Sequence, residues 1–342
     1  MMNILGIETS CDETAASIVT ENRKILSNVV KSQNEHHAPY GGVVPEIAAR
    51  AHLVIVEAVV RQAIKEAKLD FSDLDGVAAT CGPGLIGGVI VGSMLGKAIS
   101  AARKIPFVAA NHLEGHALTA RLTHNIQFPY LVLLLSGGHS QFIIVEEVGE
   151  YQIIGNTIDD ALGEAFDKVA KMLGIGFPGG PAVEKMASFG SPGRFNLPRP
   201  LRGRENSDFS FSGLKTSVRN KIEQSKNGTF SEKDIQDLCS DFQYAVSDVI
   251  KDRVLNALNI FSKKYPNCEK LVLCGGVASN QMIRTTLEQS VQTLGVNLVA
   301  PPINLCTDNG AMIAWVGVER LKLGLSNTLD FKPRPRWSLE EL

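Results

Sequence analysis

Residues 130–145 read Tyr-Leu-Val-Leu-Leu-Leu-Ser-Gly-Gly-His-Ser-Gln-Phe-Ile-Ile-Val, two apolar runs on either side of a small polar turn. The pattern predicts a strand over residues 130–135, a turn over residues 136–139 and a second strand over residues 141–145. Glycine at such a tip lets the backbone approach a phosphate group closely. The stretch therefore predicts a hairpin that can bind a nucleotide.

A similar pattern lies near the N-terminus. Apolar residues 4–7 and 15–19 flank the short polar stretch of residues 8–13. Two such hairpins, each opening one half of the chain, indicate an internal repeat. We therefore predict a duplicated α/β fold with a nucleotide between its halves.

A third glycine-containing element lies in the second half. Apolar residues 271–274 precede a double-glycine turn, and Asn280 or the serine before it can cap a helix from Gln281 to about Leu294. A glycine turn between the carboxyl end of a strand and a helix N-terminus is a common site for a phosphate or an adenosine. The element supports the prediction of a bound nucleotide.

Two histidines lie four residues apart in a predicted helix. His112 and His116 share one helix face, so both rings can reach one metal ion. Asp308, from a distant segment, could complete a two-histidine, one-carboxylate set with open coordination positions. A zinc protease would also need a base on this face, but Glu114 lies about 200° round the helix from His112. The pattern therefore predicts a metal site and argues against a protease.

Two carboxylates and one further histidine are candidates for ligand binding. Asp167 lies in a helix that we expect to open at Asp159, beyond the turn in which acids act as caps. Glu184 follows a rigid turn over residues 177–181 and could hold both hydroxyls of a ribose. His139 lies at the tip of the second hairpin, where it could contact a phosphate or acyl group.

Length and composition indicate an ordinary globular protein. The chain has 342 residues, 44% hydrophobic and 20% charged, which predicts about two domains. Its first residues lack the basic region of a signal peptide, and no run of apolar residues is long enough for a membrane span. Six cysteines, Cys268 among them, include no C-x-x-C pair and are expected to be reduced. We therefore expect a cytoplasmic protein.

Basic residues are concentrated in one segment although the net charge is −2. Between Arg194 and Lys221 there are seven lysines and arginines and two acids, and residues 332–336 add three more basic residues. The segment is either a solvated loop or a surface for a polyanion such as nucleic acid.

Six stretches together resemble one family across nearly the whole chain. They are residues 7–14, 40–46, 111–116, 136–139, 209–215 and 275–280. These stretches are similar to the TsaD family of tRNA threonylcarbamoyladenosine transferases, formerly labelled O-sialoglycoprotein endopeptidases. The start and the Pro-Arg-Trp ending resemble the bacterial form.

The resemblance implies an α/β fold of two duplicated lobes, similar to actin, Hsp70 and sugar kinases, with a nucleotide cleft between the lobes. We expect the first lobe to comprise residues 1–128 and 309–342, and the second residues 129–308. The implied reaction transfers a threonylcarbamoyl group from threonylcarbamoyl-adenylate to N6 of adenosine 37 in tRNAs that read codons beginning with A. The implied partners are the anticodon arm of tRNA, the inactive relative TsaB, the ATPase TsaE, and TsaC as supplier of the adenylate.

The same resemblance implies roles for individual residues. His112, His116 and Asp308 would bind one Fe²⁺ or Zn²⁺ ion. Asp12 is the candidate base for the exocyclic amine, with His139 as a second catalytic residue. The residues expected to hold the adenylate are Leu135, Ser136, Gly137, Gly138, His139, Asp167, Gly180, Glu184 and Asn280.

Two other classes of enzyme remain as alternatives. A metalloendopeptidase would use the same ligands but needs a base that activates water on the metal face. A kinase of the same fold would bind ATP and a phosphate acceptor, and would need no pair of metal-binding histidines.

Overall fold

The structure is a computed structural model that describes residues 2–225, 230–267 and 270–342. Within these residues the chain forms ten strands and ten α-helices. The strands are β1 Asn3–Glu8, β2 Glu13–Thr20, β3 Ile25–Ser32, β4 Gly76–Gly82, β5 Phe107–Asn111, β6 Tyr130–Leu135, β7 Ser140–Glu147, β8 Glu150–Asn156, β9 Lys270–Cys274 and β10 Asn297–Val299. The helices are α1 Asn34–His37, α2 Pro45–Ala67, α3 Ile86–Arg103, α4 His112–His124, α5 Leu162–Leu173, α6 Gly179–Ala187, α7 Ser212–Glu223, α8 Glu232–Lys264, α9 Gln281–Gln292 and α10 Gly310–Lys322.

The chain divides into two compact units. The first contains Met1–Gln127, Glu147–Tyr151 and Pro301–Leu342, and the second contains Phe128–Glu146 and Gln152–Ala300. Asp308, which the sequence-based boundary assigns to the second lobe, therefore lies in the first unit with the two histidines.

The two five-stranded sheets have the same topology. The first has the order β3-β2-β1-β4-β5, and the second, taken from its other edge, has the order β8-β7-β6-β9-β10. In each, a central strand pairs antiparallel with the next strand of its hairpin, β1 with β2 and β6 with β7. On its other side the same strand pairs in parallel, β1 with β4 and β6 with β9. The predicted duplicated α/β fold is confirmed.

Helix α10 packs directly on the first sheet and against α4. A Cβ atom on Gly6 of β1 would collide with the backbone nitrogen of Ala314 and the carbonyl oxygen of Gly310. A Cβ atom on Gly310 would lie 2.5 Å from the carbonyl carbon of Ala16 in β2. The small residues thus let the helix and sheet backbones approach closely, which fixes the position of the turn that enters α10.

Helix α5 begins later than the sequence predicted. It begins at Leu162 rather than at Asp159, and the Leu162 amide donates to the hydroxyl of Ser140 at 2.9 Å. The carboxylate of Asp159 accepts hydrogen bonds from the Phe211 amide and the Ser212 hydroxyl instead. Asp159 therefore stabilises the start of α7, a distant segment, and the prediction that it opens α5 is wrong.

The start of α5 packs on the tip of the second hairpin. The amide of Gly163 donates to the carbonyl of Ser136 at 3.1 Å, and that of Glu164 to the carbonyl of Gly137 at 3.2 Å. A Cβ atom on Gly163 would lie 2.7 Å from the Cα of Gly137 and 2.7 Å from the carbonyl oxygen of Ser136. Only glycine allows this contact without displacing the turn.

We expect the variant Gly163→Ala to lose about 1–3 kcal/mol of free energy of unfolding, because the added methyl group overpacks the hairpin tip. Gly213, the second residue of α7, is the matched control, since a Cβ atom there meets nothing within 4 Å. Gly213→Ala should change stability by less than about 1 kcal/mol. Urea denaturation followed by circular dichroism measures both, and equal stability of the two variants would contradict the packing argument.

Candidate functional site

The N-terminus of α4 carries both histidines of the predicted metal site. Asn111 is its N-cap, with its side-chain oxygen accepting from the Leu113 amide at 2.9 Å, and its side-chain amide donates to the Trp337 carbonyl at 3.1 Å. The rings of His112 and His116 lie on the same face, with centroids 4.8 Å apart and planes at 89°. Both side chains are buried.

Asp308 joins the two histidines in space. Its Oδ1 lies 3.1 Å from Nε2 of His116 and 3.5 Å from Nε2 of His112. Ligand atoms of the three residues all lie within 4.8 Å of one another. Asn309 caps α10 by accepting from the Met312 amide at 3.0 Å, which holds the preceding residue in place.

These distances fit a metal ion. Two ligand atoms of a tetrahedral zinc ion lie about 3.4 Å apart, close to the observed nitrogen–oxygen separations. Two imidazole nitrogens and one carboxylate suit zinc or ferrous iron and leave positions open for a further ligand. The arrangement can therefore hold an ion that also binds a substrate.

Glu8, a residue that the sequence analysis did not single out, contacts the metal site. It is fully buried at the end of β1, and its Oε2 lies 3.1 Å from Nδ1 of His112. Burial raises the pKa of Glu8, but His112 and a hydrogen bond from Ser10 outweigh it and lower that pKa. Burial lowers the pKa of His112, but the carboxylates of Asp308 and Glu8 raise it to about 9. In the sequence, Glu8 directly follows the apolar residues of a predicted strand. We therefore assigned it to the polar turn and not to the site.

Glu114 points away from this cluster, as predicted. Its carboxylate accepts from Nε of Arg320 at 2.9 Å and from the hydroxyl of Tyr151 at 2.9 Å. The side chain is fully buried in that network. It therefore cannot act as a base over the ligands, and the protease hypothesis has no support from Glu114.

Asp12 lies at the tip of the first hairpin, in the same unit as the metal ligands. Its carbonyl accepts from the Gln33 amide at 3.0 Å, and the carbonyl of the preceding Cys11 lies 3.0 Å from Nε2 of the buried His52. Burial raises the pKa of Glu13, and the carboxylates of Asp308 and Asp12 raise it further. Asp12 and Asp308 thus both act electrostatically on Glu13, and the backbone around Asp12 is held by hydrogen bonds.

The tip of the second hairpin forms a two-residue turn. The Ser136 amide donates to the His139 carbonyl at 2.8 Å, and the His139 amide donates to the Ser136 hydroxyl at 3.1 Å. Gly137 and Gly138 lie between them and are exposed, and a Cβ atom on either would meet nothing within 4 Å. The turn is open to an approaching ligand, while Leu135 below it is fully buried.

The remaining adenylate candidates lie around α6. Asp167 accepts from the Gly179 amide at 2.7 Å, and a Cβ atom on the next residue, Gly180, would meet nothing within 4 Å. Glu184 accepts from the Gln281 amide at 2.8 Å, at the start of α9. Asn280 caps α9 by accepting from the Ile283 amide at 3.0 Å. These carboxylates and this amide therefore also stabilise the ends of α6 and α9, a structural role that the sequence analysis foresaw only for Asn280.

The basic segment is partly neutralised by acids of α8. Arg199 lies 2.9 Å from Asp248, and Arg194 contacts Asp234 at 2.5 Å. Arg202 and Arg204 are exposed. The segment is thus neither a uniform solvated loop nor a uniform basic surface, because its first arginines are anchored and the next two point outwards.

Two further expectations concern cysteines and membranes. Of the described cysteines, Cys81, Cys239, Cys274 and Cys306 are buried and Cys11 is half-buried, all as free thiols, while Cys268 lies outside the described residues. In the described part of the chain, no helix is both long and apolar enough to cross a bilayer.

Comparison with known proteins identifies the family. Residues 24–315 match the family model described as TsaD, tRNA N6-adenosine threonylcarbamoyltransferase. The chain belongs to this family. The enzyme of that name from Rhodospirillum rubrum is 58% identical, over 98% of this chain and 94% of the relative. That from Paramagnetospirillum magneticum is 57% identical, over 99% and 97%.

Solved structures of more distant proteins share the fold. HypF from T. kodakarensis superposes with a TM-score of 0.63 at 14% identity, covering 94% of this chain and 48% of HypF. Component A of (R)-2-hydroxyglutaryl-CoA dehydratase from Acidaminococcus fermentans gives 0.52 at 16% identity, covering 93% and 96%. At such identities the likeness concerns the fold alone, and it confirms the predicted actin/Hsp70/sugar-kinase-like class.

Family membership establishes the reaction. The chain is an acyltransferase that attaches a threonylcarbamoyl group to N6 of adenosine 37 in tRNA, by a metal-dependent transfer from an adenylate donor. tRNA is therefore a substrate. The peptidase and kinase alternatives are not favoured.

We expect purified wild-type protein to hold about one iron or zinc ion per chain and the variant His116→Ala to hold none, because two ligands seldom retain such an ion. His124→Ala is the matched control, since His124 is exposed at the other end of α4. Elemental analysis by mass spectrometry measures the iron and zinc content of each protein. A fully loaded His116→Ala protein would show that the ion binds elsewhere.

Proposed function

We propose that transfer takes place in the first unit, at His112, His116, Asp308 and Asp12. The observation that carries this proposal is that Nε2 of both histidines faces one oxygen of Asp308, at 3.5 and 3.1 Å. A bound Fe²⁺ or Zn²⁺ ion would supply a Lewis acid that polarises the carbonyl of the donor. The three side chains would hold this ion. The Asp308 side chain is partly exposed, which would give a substrate access to the ion.

We propose that the second unit binds the donor, threonylcarbamoyl-adenylate. Gly137, Gly138 and Gly180 present backbone without a side chain, which suits close contact with the phosphate and adenosine. Leu135 and Ser136 fix the base of the turn, and His139 completes it beside the acyl group. Asp167, Glu184 and Asn280 hold α6 and α9 in position around the nucleotide and contribute polar groups for its ribose.

Asp12 is the base in this proposal. N6 of adenosine is a weak nucleophile, so positioning must supply much of the acceleration. N6 attacks the carbamoyl carbon, its proton passes to the Asp12 carboxylate, and the carbon–oxygen bond to AMP breaks with its electron pair leaving on the phosphate. The hydrogen bonds to the backbone of Cys11 and Asp12 keep the carboxylate in place for this step.

The wider setting of the reaction is also part of the proposal. The enzyme would act in the cytoplasm, on the anticodon arm of tRNA, with TsaB and TsaE as partners and TsaC as supplier of the adenylate. Reconstitution with threonylcarbamoyl-adenylate and unmodified tRNA, followed by nucleoside analysis, tests the activity. Omission of each partner in turn tests its contribution.

We expect Asp12→Asn to fold, keep its metal and bind tRNA, yet to form product about 10²–10⁴-fold more slowly, because the amide keeps the shape but removes the base. Single-turnover assays with saturating adenylate measure the rate. Glu35→Gln, a change at an exposed acid of the same unit, is the control and should keep the wild-type rate. A rate of Asp12→Asn within threefold of wild type would assign proton transfer to another group.

We expect the double variant Arg202→Glu/Arg204→Glu to bind tRNA more weakly and with a smaller salt dependence, by about one unit of slope for each phosphate that is no longer neutralised. Adenylate binding should not change. Arg61→Glu/Lys65→Glu makes the same change of charge at exposed residues of α2 and is the control. An equal weakening in both double variants would mean that net charge, and not this segment, sets the affinity.

A further inference from the structure

The two ring nitrogens of His112 have different surroundings. Nε2 faces Asp308, 3.5 Å away. Nδ1 lies 3.1 Å from Oε2 of Glu8 and 3.1 Å from the hydroxyl of Ser10. A neutral imidazole carries its proton on one nitrogen and a lone pair on the other, and only the lone pair can bind a metal ion.

We propose that Glu8 is a positioning residue that fixes the tautomer of His112 for metal binding, an inference that rests on the proposed metal site. If a metal ion takes the lone pair of Nε2, the ring proton must lie on Nδ1, and the Glu8 carboxylate, which can only accept hydrogen bonds, would hold it there. The Ser10 hydroxyl can either donate or accept, so it does not decide the tautomer. Of the two groups that face Nδ1, Glu8 is therefore the one that requires a proton on this nitrogen.

Three neighbouring parallel strands bring the residues together. In the first sheet β1 pairs with β4, with Ile7 opposite Ala79, and β4 pairs with β5, with Thr80 opposite Ala110. Glu8, Thr80 and the start of α4 therefore lie side by side at the carboxyl ends of adjacent strands. The hydrogen-bonded register of the sheet therefore sets the distance from Glu8 to His112.

Glu8 is itself held by donors on both oxygens. Oε1 accepts from the Ser10 amide at 2.5 Å, and Oε2 accepts from the hydroxyl of Thr80 at 2.5 Å as well as facing His112. A glutamine in this place would have one oxygen and one NH₂ group. With its oxygen towards Ser10, its NH₂ would face Nδ1 of His112 and favour the tautomer that blocks Nε2. In the opposite orientation, the glutamine oxygen would face His112 and the NH₂ group would face the Ser10 amide. Two hydrogen-bond donors would then face each other, which is unfavourable.

The contact with the ring distinguishes Glu8 from a residue with a packing role alone. Oε2 of Glu8 lies 3.1 Å from Nδ1 of His112, and among the described residues no lysine or arginine forms an ion pair with Glu8. A buried carboxylate needs a cation or several hydrogen bonds to offset its loss of hydration. The negative charge also increases the basicity of the ligated ring, which strengthens its bond to a metal ion.

The test measures Zn²⁺ affinity by competition with a chromogenic chelator, using the full-length chain. We expect Glu8→Gln to bind Zn²⁺ about 10–100-fold more weakly than wild type. Thr80→Val is the matched control, because it removes one hydrogen bond to Glu8 and leaves the contact between Glu8 and His112. Its affinity should remain within threefold of wild type. Melting temperatures of the metal-free proteins show whether each variant is folded.

The outcomes separate this inference from the proposed metal site. An affinity of Glu8→Gln within threefold of wild type would overturn the role of Glu8, and so would an equal weakening in Thr80→Val. Wild-type affinity in His116→Ala would instead overturn the metal site itself. Three results together support both the metal site and the role of Glu8. His116→Ala should not bind Zn²⁺, Glu8→Gln should bind it more weakly than wild type, and Thr80→Val should bind it with an affinity within threefold of wild type.

A second measurement uses wild-type protein, so it does not depend on whether Glu8→Gln folds. In wild-type protein loaded with Zn²⁺, the ring ¹⁵N shifts of His112 should show a protonated Nδ1 and a ligated Nε2. The spectrum of His112→Gln assigns the signals. A protonated Nε2 together with a ligated Nδ1 would overturn the proposal.

Discussion

The close packing of α10 on β1, β2 and α4 holds Asp308 beside the two histidines of α4. Gly6 and Gly310 let the helix and sheet backbones meet, and the Cβ position of Gly115 lies only 3.1 Å from Met312 and Ile313 side-chain atoms of α10. A larger residue at Gly6 or Gly310 would push the helix outwards. Asp308 lies directly before Asn309, the N-cap of α10. Such a shift would therefore separate the Asp308 carboxylate from His116 and His112, whose Nε2 atoms lie 3.1 and 3.5 Å from it.

The same strand order serves different chemistry in the two units. In the first unit, Glu8 ends β1, Thr80 lies two residues before the end of β4, and β5 leads into the histidine-bearing helix, so polar and charged groups gather at the carboxyl edge of the sheet. In the second, β6 leads into the exposed Gly-Gly turn, and β9 is followed by Gly275, which has a φ of +90° and lies against the Leu135 carbonyl. One edge thus presents side chains, and the other presents bare backbone.

Several site residues also stabilise the fold. Glu184 and Asn280 cap the start of α9, Asp167 binds the first amide of α6, and Arg199 pairs with Asp248. A substitution at any of them would therefore change stability as well as binding. Asp12, Arg202 and Arg204 are better targets for a functional test, because their side chains lie outside these helix caps and ion pairs.

Local sequence patterns were enough to predict most of the elements and the residue types that suit the chemistry. Apolar periodicity located both hairpins, the i,i+4 spacing placed His112 and His116 on one helix face, and the motif residues indicated the family. The sequence pattern placed the start of α5 at Asp159, which is too early. Asp159 instead binds the start of α7, more than 50 residues away, and a local pattern cannot show such a contact. The contact between Glu8 and His112 and the ion pair of Arg199 with Asp248 became visible in the folded chain. Strand register and helix packing set those distances, and both arise from contacts between residues far apart in the chain.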